Sequence, residues 1–113
     1  MAKIKYIPSR GDIVWIDFNP TKGHEQRGRR PALVISPEKY NRLSGQTIFC
    51  PVTSKVKKYA FEVVFQGTSI TGAILSDQVR TMDFTKRNIE FIEKISPVVM
   101  DHVEAKLLTL IKG

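Results

Sequence analysis

The densest set of groups able to do chemistry lies between Asp17 and Pro31: Asp-Phe-Asn-Pro-Thr-Lys-Gly-His-Glu-Gln-Arg-Gly-Arg-Arg-Pro. It holds two glycines, two prolines, His24, Glu25 and four cations. The apolar runs Ile13–Ile16 and Ala32–Ile35 on either side read as strands. The connection is therefore far longer than the ~2–5 residues of an ordinary hairpin loop. Long loops in compact domains are commonly functional, and these groups suit phosphate. An arginine fork matches two phosphate oxygens, and a histidine changes charge near physiological pH. A solvated loop with no ligand has the same composition. Arg30 stands apart from its neighbours because the ring of Pro31 biases it towards extended geometry, holding its backbone at the sheet. Thr53, in Pro51-Val52-Thr53-Ser54, ends another strand. Its hydroxyl can face a ligand, or make the local backbone hydrogen bond common in turns.

Other chemistries have thinner support. Cys50 sits within the strand Phe49-Cys50-Pro51 and reads as a packed thiol. Neither His24 nor His102 adjoins a nucleophile in sequence. The two histidines are far apart and the eleven carboxylates are scattered, so no metal ligand set and no cofactor are expected. The formal net charge of +7 implies attraction to a polyanion: nucleic acid, an anionic membrane or an acidic protein. Cations gather at Arg27-Arg29-Arg30, Lys55-Lys57-Lys58 and Lys86-Arg87. No basic amphipathic helix is legible, which makes the membrane the weakest of the three.

The elements that must position these groups are short. Strands are expected at Asp12–Phe18, Ala32–Ile35, Thr47–Pro51, Phe61–Phe65, Gly72–Leu75, Val79–Met82 and Ile89–Ile95, where β-branched and aromatic residues dominate. A short helix is expected from Pro37 to Leu43, stopping near Gly45. At the end, Ser96 can cap a helix with Pro97 in its first turn. Val99, Val103, Leu107, Leu110 and Ile111 then fall on one stripe, read as the face packed on the sheet. The 113 residues are expected to form one mainly β domain with a C-terminal helix, in a small, strongly bent sheet or barrel. No apolar run approaches the ~20 residues of a membrane span. The start lacks the apolar segment of a signal peptide, and one cysteine fits a reducing cytoplasm.

The residues Gly11-Asp12-Ile13-Val14-Trp15, Asp17-Phe18-Asn19-Pro20, Gly23-His24-Glu25-Gln26 and Arg29-Arg30-Pro31-Ala32 resemble the opening of the MazF/PemK family of toxin endoribonucleases. The likeness continues through Val34-Ile35-Ser36-Pro37, Tyr40-Asn41, Cys50-Pro51-Val52-Thr53-Ser54 and Ser76-Asp77-Gln78-Val79-Arg80. It then fades to pattern in the C-terminal third. This resemblance implies an SH3-like barrel with added short helices, a homodimer, and single-stranded RNA, chiefly mRNA, as substrate. It also implies an acidic antitoxin as cognate partner, to which the positive charge is suited.

On the same resemblance, Arg30 and Thr53 match catalytic positions, and Glu25 a position used for acid–base work or substrate positioning. His24, Gln26, Ser54, Lys57, Asp77, Gln78 and Arg80 are the expected substrate contacts. Some relatives carry an arginine where this chain has Leu75, which shifts the cationic burden to Arg30 and Arg80. One RNA-specific reaction needs neither metal nor protein nucleophile: the ribose 2′-hydroxyl attacks the adjacent phosphate and expels the 5′-oxygen. The protein then moves protons and meets the added negative charge, for which arginine and a hydroxyl or backbone N–H are suited. Tyr40, Tyr59, Phe65 and Phe84 are candidates for stacking unpaired bases. Two other readings use the same features: a basic barrel that holds nucleic acid without cutting it, and a gyrase-poisoning toxin on a related fold. The latter acts through a C-terminus ending Trp-Gly-Ile, whereas this chain ends Leu-Ile-Lys-Gly.

Overall fold

The computed structural model describes residues 5–18 and 28–113. His24, Glu25 and Gln26 lie outside the described residues. The strands are β1 (Asp12–Asp17), β2 (Arg29–Val34), β3 (Gln46–Thr53), β4 (Glu62–Gln66), β5 (Thr71–Leu75), β6 (Arg80–Asp83) and β7 (Glu90–Lys94). Helix α1 spans Glu38–Ser44 and α2 spans Pro97–Lys112, with a 3₁₀ turn at Phe84–Lys86. All seven strands form one antiparallel sheet in the order β4-β5-β3-β2-β1-β7, with β6 also paired to β3. The sheet curls into a half-barrel, so the mainly β fold with a C-terminal helix is the one expected. Its strands were placed within a few residues, with two informative exceptions: β2 begins three residues early, at Arg29, and β3 runs on to Thr53. Both extensions carry the residues of interest into the sheet.

Both faces of the central strands are covered, so β1 is almost continuously buried rather than alternating. On one face Ile13, Leu33, Cys50, Val52, Val63 and Ile74 pack with Met100 and Val103 of α2. On the other, Val14, Ile16, Ala32, Val34 and Phe49 pack with Met82 and Phe84, flanked by Tyr6 and Ile7. Each fully buried aliphatic or aromatic side chain contributes about 1.5–3 kcal/mol by leaving water. The Ser96 hydroxyl accepts from Val99 N–H at 3.3 Å, starting α2 where the sequence places it. The expected apolar stripe is only half right. Val103 is fully buried, and Val99 and Leu107 are partly so, but Leu110 and Ile111 are exposed because the last turn reaches past the sheet.

A buried polar network ties α1 to β3. Asn41 Nδ2 donates to the carbonyls of Pro8 at 2.7 Å and Ser36 at 3.1 Å, while the Ser36 hydroxyl donates to Asn41 Oδ1. Ile48 N–H donates to the Ser36 hydroxyl at 2.9 Å. Ser36 and Asn41 are therefore structural: each is buried, and a buried polar group left without such partners costs about 1–3 kcal/mol.

Candidate active site

The site is made by a fork in the sheet. The β2–β3 ladder pairs Val34 with Phe49, Leu33 with Cys50 and Ala32 with Pro51, and stops there. β3 continues, but Val52 and Thr53 pair with Ile74 and Ala73 of β5 instead. Carried past its last pair, the β2–β3 register sets Arg30 across from Thr53, on ends that have lost their mutual hydrogen bonds. A cleft of about 470 Å³ opens between them, lined by Trp15, Arg30, Pro31, Val52, Thr53, Ser54, Lys55, Ile70 and Thr71. Cross-strand partners share a face and successive residues alternate. Arg30 thus lies on the side of its partner Ile16, and Trp15 with its partner Pro31 on the opposite side. Only where the ladder has opened can one hollow take side chains from both faces.

Thr53 makes the local bond that the sequence left open: its hydroxyl accepts from Lys55 N–H at 3.0 Å. A hydroxyl that accepts one bond still has its proton to donate, so this contact orients the group without consuming it. Gly72 fixes Thr53 from behind. A Cβ at Gly72 would lie 2.4 Å from the Thr53 carbonyl oxygen, a distance that forces something to move. Only glycine lets β5 approach so closely here.

Beyond Thr53 lies a second hollow of about 280 Å³, lined by Lys55, Lys57, Tyr59, Glu62, Leu75, Asp77 and Gln78. The Tyr59 hydroxyl donates to Asp77 Oδ1 at 2.6 Å. Desolvation, then the bond to Asp77, push the phenol up to about 12, so it stays a donor throughout the neutral range. Glu62, buried, accepts from the backbone N–H groups of Lys57 and Lys58. These bonds hold Lys58 at φ 62, a left-handed conformation uncommon outside glycine.

Three further arginines among the described residues have fixed positions. Arg29 donates to Asn88 O at 2.8 Å and Glu90 Oε1 at 2.6 Å. Arg87 donates to the carbonyls of Asp17 and Phe18, securing the end of β1. Arg80 stacks its guanidinium 5.2 Å from the centre of the Phe18 ring and sits opposite Phe49, four residues up β3 from Thr53. It lies outside both hollows, whereas Ser54 lines the first, Lys57, Asp77 and Gln78 the second, and Arg30 and Thr53 face the first. Cys50 is buried, and desolvation followed by the charge of Asp77 pushes its thiol up to about 12. Among the described residues no group of three or more His, Cys, Asp and Glu could hold a metal ion. No helix there is long and apolar enough to cross a membrane.

Sequence reasoning missed Trp15 as a site residue. Its signal was present: Trp15 stands between Val14 and Ile16 on a strand, so when those two are buried it must face the other way. Of the four stacking candidates, Phe65 and Phe84 are buried in the core, Tyr40 is exposed on α1, and Tyr59 lines the second hollow beside the fork.

The half-barrel sheet is forked so that an arginine stands opposite a hydroxyl beside an exposed lysine loop, an arrangement whose charge and donors suit a phosphodiester. The chain belongs to the family of PemK-like, MazF-like toxins of type II toxin–antitoxin systems, whose pattern matches residues 9–111. It is similar to the endoribonuclease toxin MazF of Escherichia coli K12, at 40% identity over 107 residues, covering 95% of this chain and 96% of that protein. The crystal structure of MazF from Deinococcus radiodurans superposes with a TM-score of 0.85 at 41% identity, covering 96% of this chain and 100% of that one. A MazE–MazF crystal structure from the same organism gives 0.85 at 37% identity, covering 96% and 98%.

Proposed function

We propose that the forked cleft cuts single-stranded RNA, chiefly mRNA, at a short sequence, by attack of a ribose 2′-hydroxyl on the neighbouring phosphate and without a divalent metal. The chain is an endoribonuclease of the toxin class, as its MazF and PemK relatives are named. The observation that carries the mechanism is the register that sets Arg30 opposite Thr53 across the open ends of β2 and β3. In the reaction the 2′-oxygen bonds to phosphorus, the bond to the 5′-oxygen breaks, and the products are a 2′,3′-cyclic phosphate and a 5′-hydroxyl. Arg30 meets the charge gathering on the phosphate oxygens, and the Thr53 hydroxyl donates to the same group. Glu25 is the proposed acid–base residue, with His24 and Gln26 as further substrate contacts on the same loop.

The half-exposed indole of Trp15 offers a face on which a base beside the cut can stack. Asp77 and Gln78, with Tyr59, supply hydrogen-bonding groups to a second base in the adjoining hollow, and Ser54 and Lys57 reach the backbone. Arg80, away from both hollows, acts on phosphate further along the strand. The working unit is a homodimer in the cytoplasm, opposed by an acidic antitoxin, the kind of partner that a net charge of +7 steers.

Incubation of the purified chain with a long single-stranded RNA in EDTA tests this directly. Discrete fragments are expected; intact RNA that nevertheless binds would leave a non-cutting basic barrel instead. Binding should also weaken steeply with salt, with a log–log slope of about −0.7 per phosphate contact on a single strand. The double variant Lys57→Ala, Lys58→Ala should bind more weakly and with a shallower slope, while cutting the same sequence. Affinity and slope equal to the parent's would make the loop a mere solvated surface.

A further inference from the structure

The path of the sheet ends at β4 on one side and β7 on the other, and the gap between them is bridged by one carboxylate. Glu93 of β7 accepts from three consecutive backbone N–H groups in the turn between β4 and β5: Thr68 at 2.9 Å, Ser69 at 2.9 Å and Ile70 at 3.0 Å. Successive N–H groups converging on one anion form a backbone nest, and here the anion belongs to the protein. The turn is closed tightly over it: a Cβ on Gly67 would lie 2.5 Å from Glu93 Oε2. In the β1–β7 register Glu93 is opposite Ile13, which shares its face of β1 with Trp15; the register shifts by a bulge between Ile13 and Val14, where Trp15 pairs with Glu90. The end of this turn forms part of the cleft. Ile70, held by its N–H to Glu93, packs its side chain against the core shared with α2, and Ile70 and Thr71 line the hollow with Trp15, Arg30 and Thr53.

We infer that Glu93 is a positioning residue for the active cleft. It acts through the turn 67–70 to set how far the Ile70–Thr71 wall stands from Trp15 and Arg30, and touches no substrate itself. A carboxylate offers only acceptors to the three donors, whereas an amide in its place turns one acceptor into an N–H₂ that opposes them. In Glu93→Gln the turn loses its anchor and the wall moves outward. Because Ile70 and Thr71 contact a bound strand alike before and during reaction, the loss falls on KM rather than kcat. One or two such contacts correspond to a rise of roughly three- to tenfold in KM.

Trp15 is the chain's sole tryptophan, so its emission reports the wall independently of any substrate. Glu93→Gln should shift that emission to the red and raise KM, with kcat within about twofold of the parent. Gly67→Ala, which keeps the carboxylate but sets a Cβ 2.5 Å from its Oε2 and 2.7 Å from the Ile70 carbonyl oxygen and so forces turn and carboxylate apart, should do both as well. Glu104→Gln, which removes only the surface pair with Arg10 at 3.2 Å, should do neither. Near-native far-ultraviolet circular dichroism establishes folding in each case, and Gly67→Ala carries the test if Glu93→Gln does not fold. The kinetic arm rests on the cleft being the RNA site; the emission arm does not, so a parent that fails to cut RNA leaves the positioning role measurable. Folded variants with parental emission would overturn the inference. So would a loss confined to kcat, or a Glu104→Gln variant as impaired as Glu93→Gln.

Discussion

Arg30→Ala should fold normally and cut RNA ~10²–10³-fold more slowly, with the loss in kcat, because removing one donor aimed at developing charge typically costs that much. Arg30 is exposed and projects from the splayed end of β2 rather than into either core. Surface substitutions of this kind usually change stability by no more than about 0.5 kcal/mol. The variant should be non-toxic when expressed and still bind an acidic partner. Arg29→Ala is the matched control. Its guanidinium is committed to Asn88 and Glu90, and the Glu90 side chain is 67% exposed, so losing the pair should cost about 0.2–1 kcal/mol of stability and little rate. Single-turnover rates for the two variants, beside their melting curves, separate the outcomes. Equal cutting by both, or an Arg30→Ala variant inactive only because it unfolds, would remove Arg30 from the catalytic role.

A larger effect is expected from the substrate side. An RNA carrying one 2′-deoxy nucleotide on the 5′ side of the cut bond has lost the attacking oxygen. The proposed chemistry takes a cation from Arg30 and a donor from Thr53, not a nucleophile, and the chain's sole thiol, Cys50, is buried and raised to about 12. Cutting at that position should fall below detection, while binding persists because the phosphates and bases are unchanged. Cleavage and filter binding measured on the same oligonucleotide give the answer. Efficient cutting of the deoxy substrate would require a nucleophile from the protein or from water.

The part of this site legible in the sequence is the part that short-range chemistry dictates. Pro31 announces that Arg30 is extended, Ser96 and Pro97 announce α2, and both are where the residues put them. The choice between a ligand contact and a turn bond for Thr53 could not be made from its neighbours. The turn bond is present and leaves the hydroxyl proton to donate, at a point where the strand changes partners from β2 to β5. That exchange is a long-range event with no local signature beyond Gly72, whose close approach to Thr53 is visible only in three dimensions. Glu93 was invisible for the same reason, because its task is set by N–H groups of a turn that only the fold brings to it. The stripe on α2 failed at Leu110 and Ile111 because helical spacing describes a face but not where the sheet beneath it ends.

The most direct measurement is the end-group chemistry of fragments made by the purified chain in EDTA. Mass spectrometry of the products should find a 2′,3′-cyclic phosphate on each upstream fragment and a 5′-hydroxyl on each downstream one. Fragments bearing 5′-phosphate and 3′-hydroxyl ends, or cutting that appears only when a divalent metal is restored, would contradict a cleft in which the ribose supplies the nucleophile and Arg30 meets the charge.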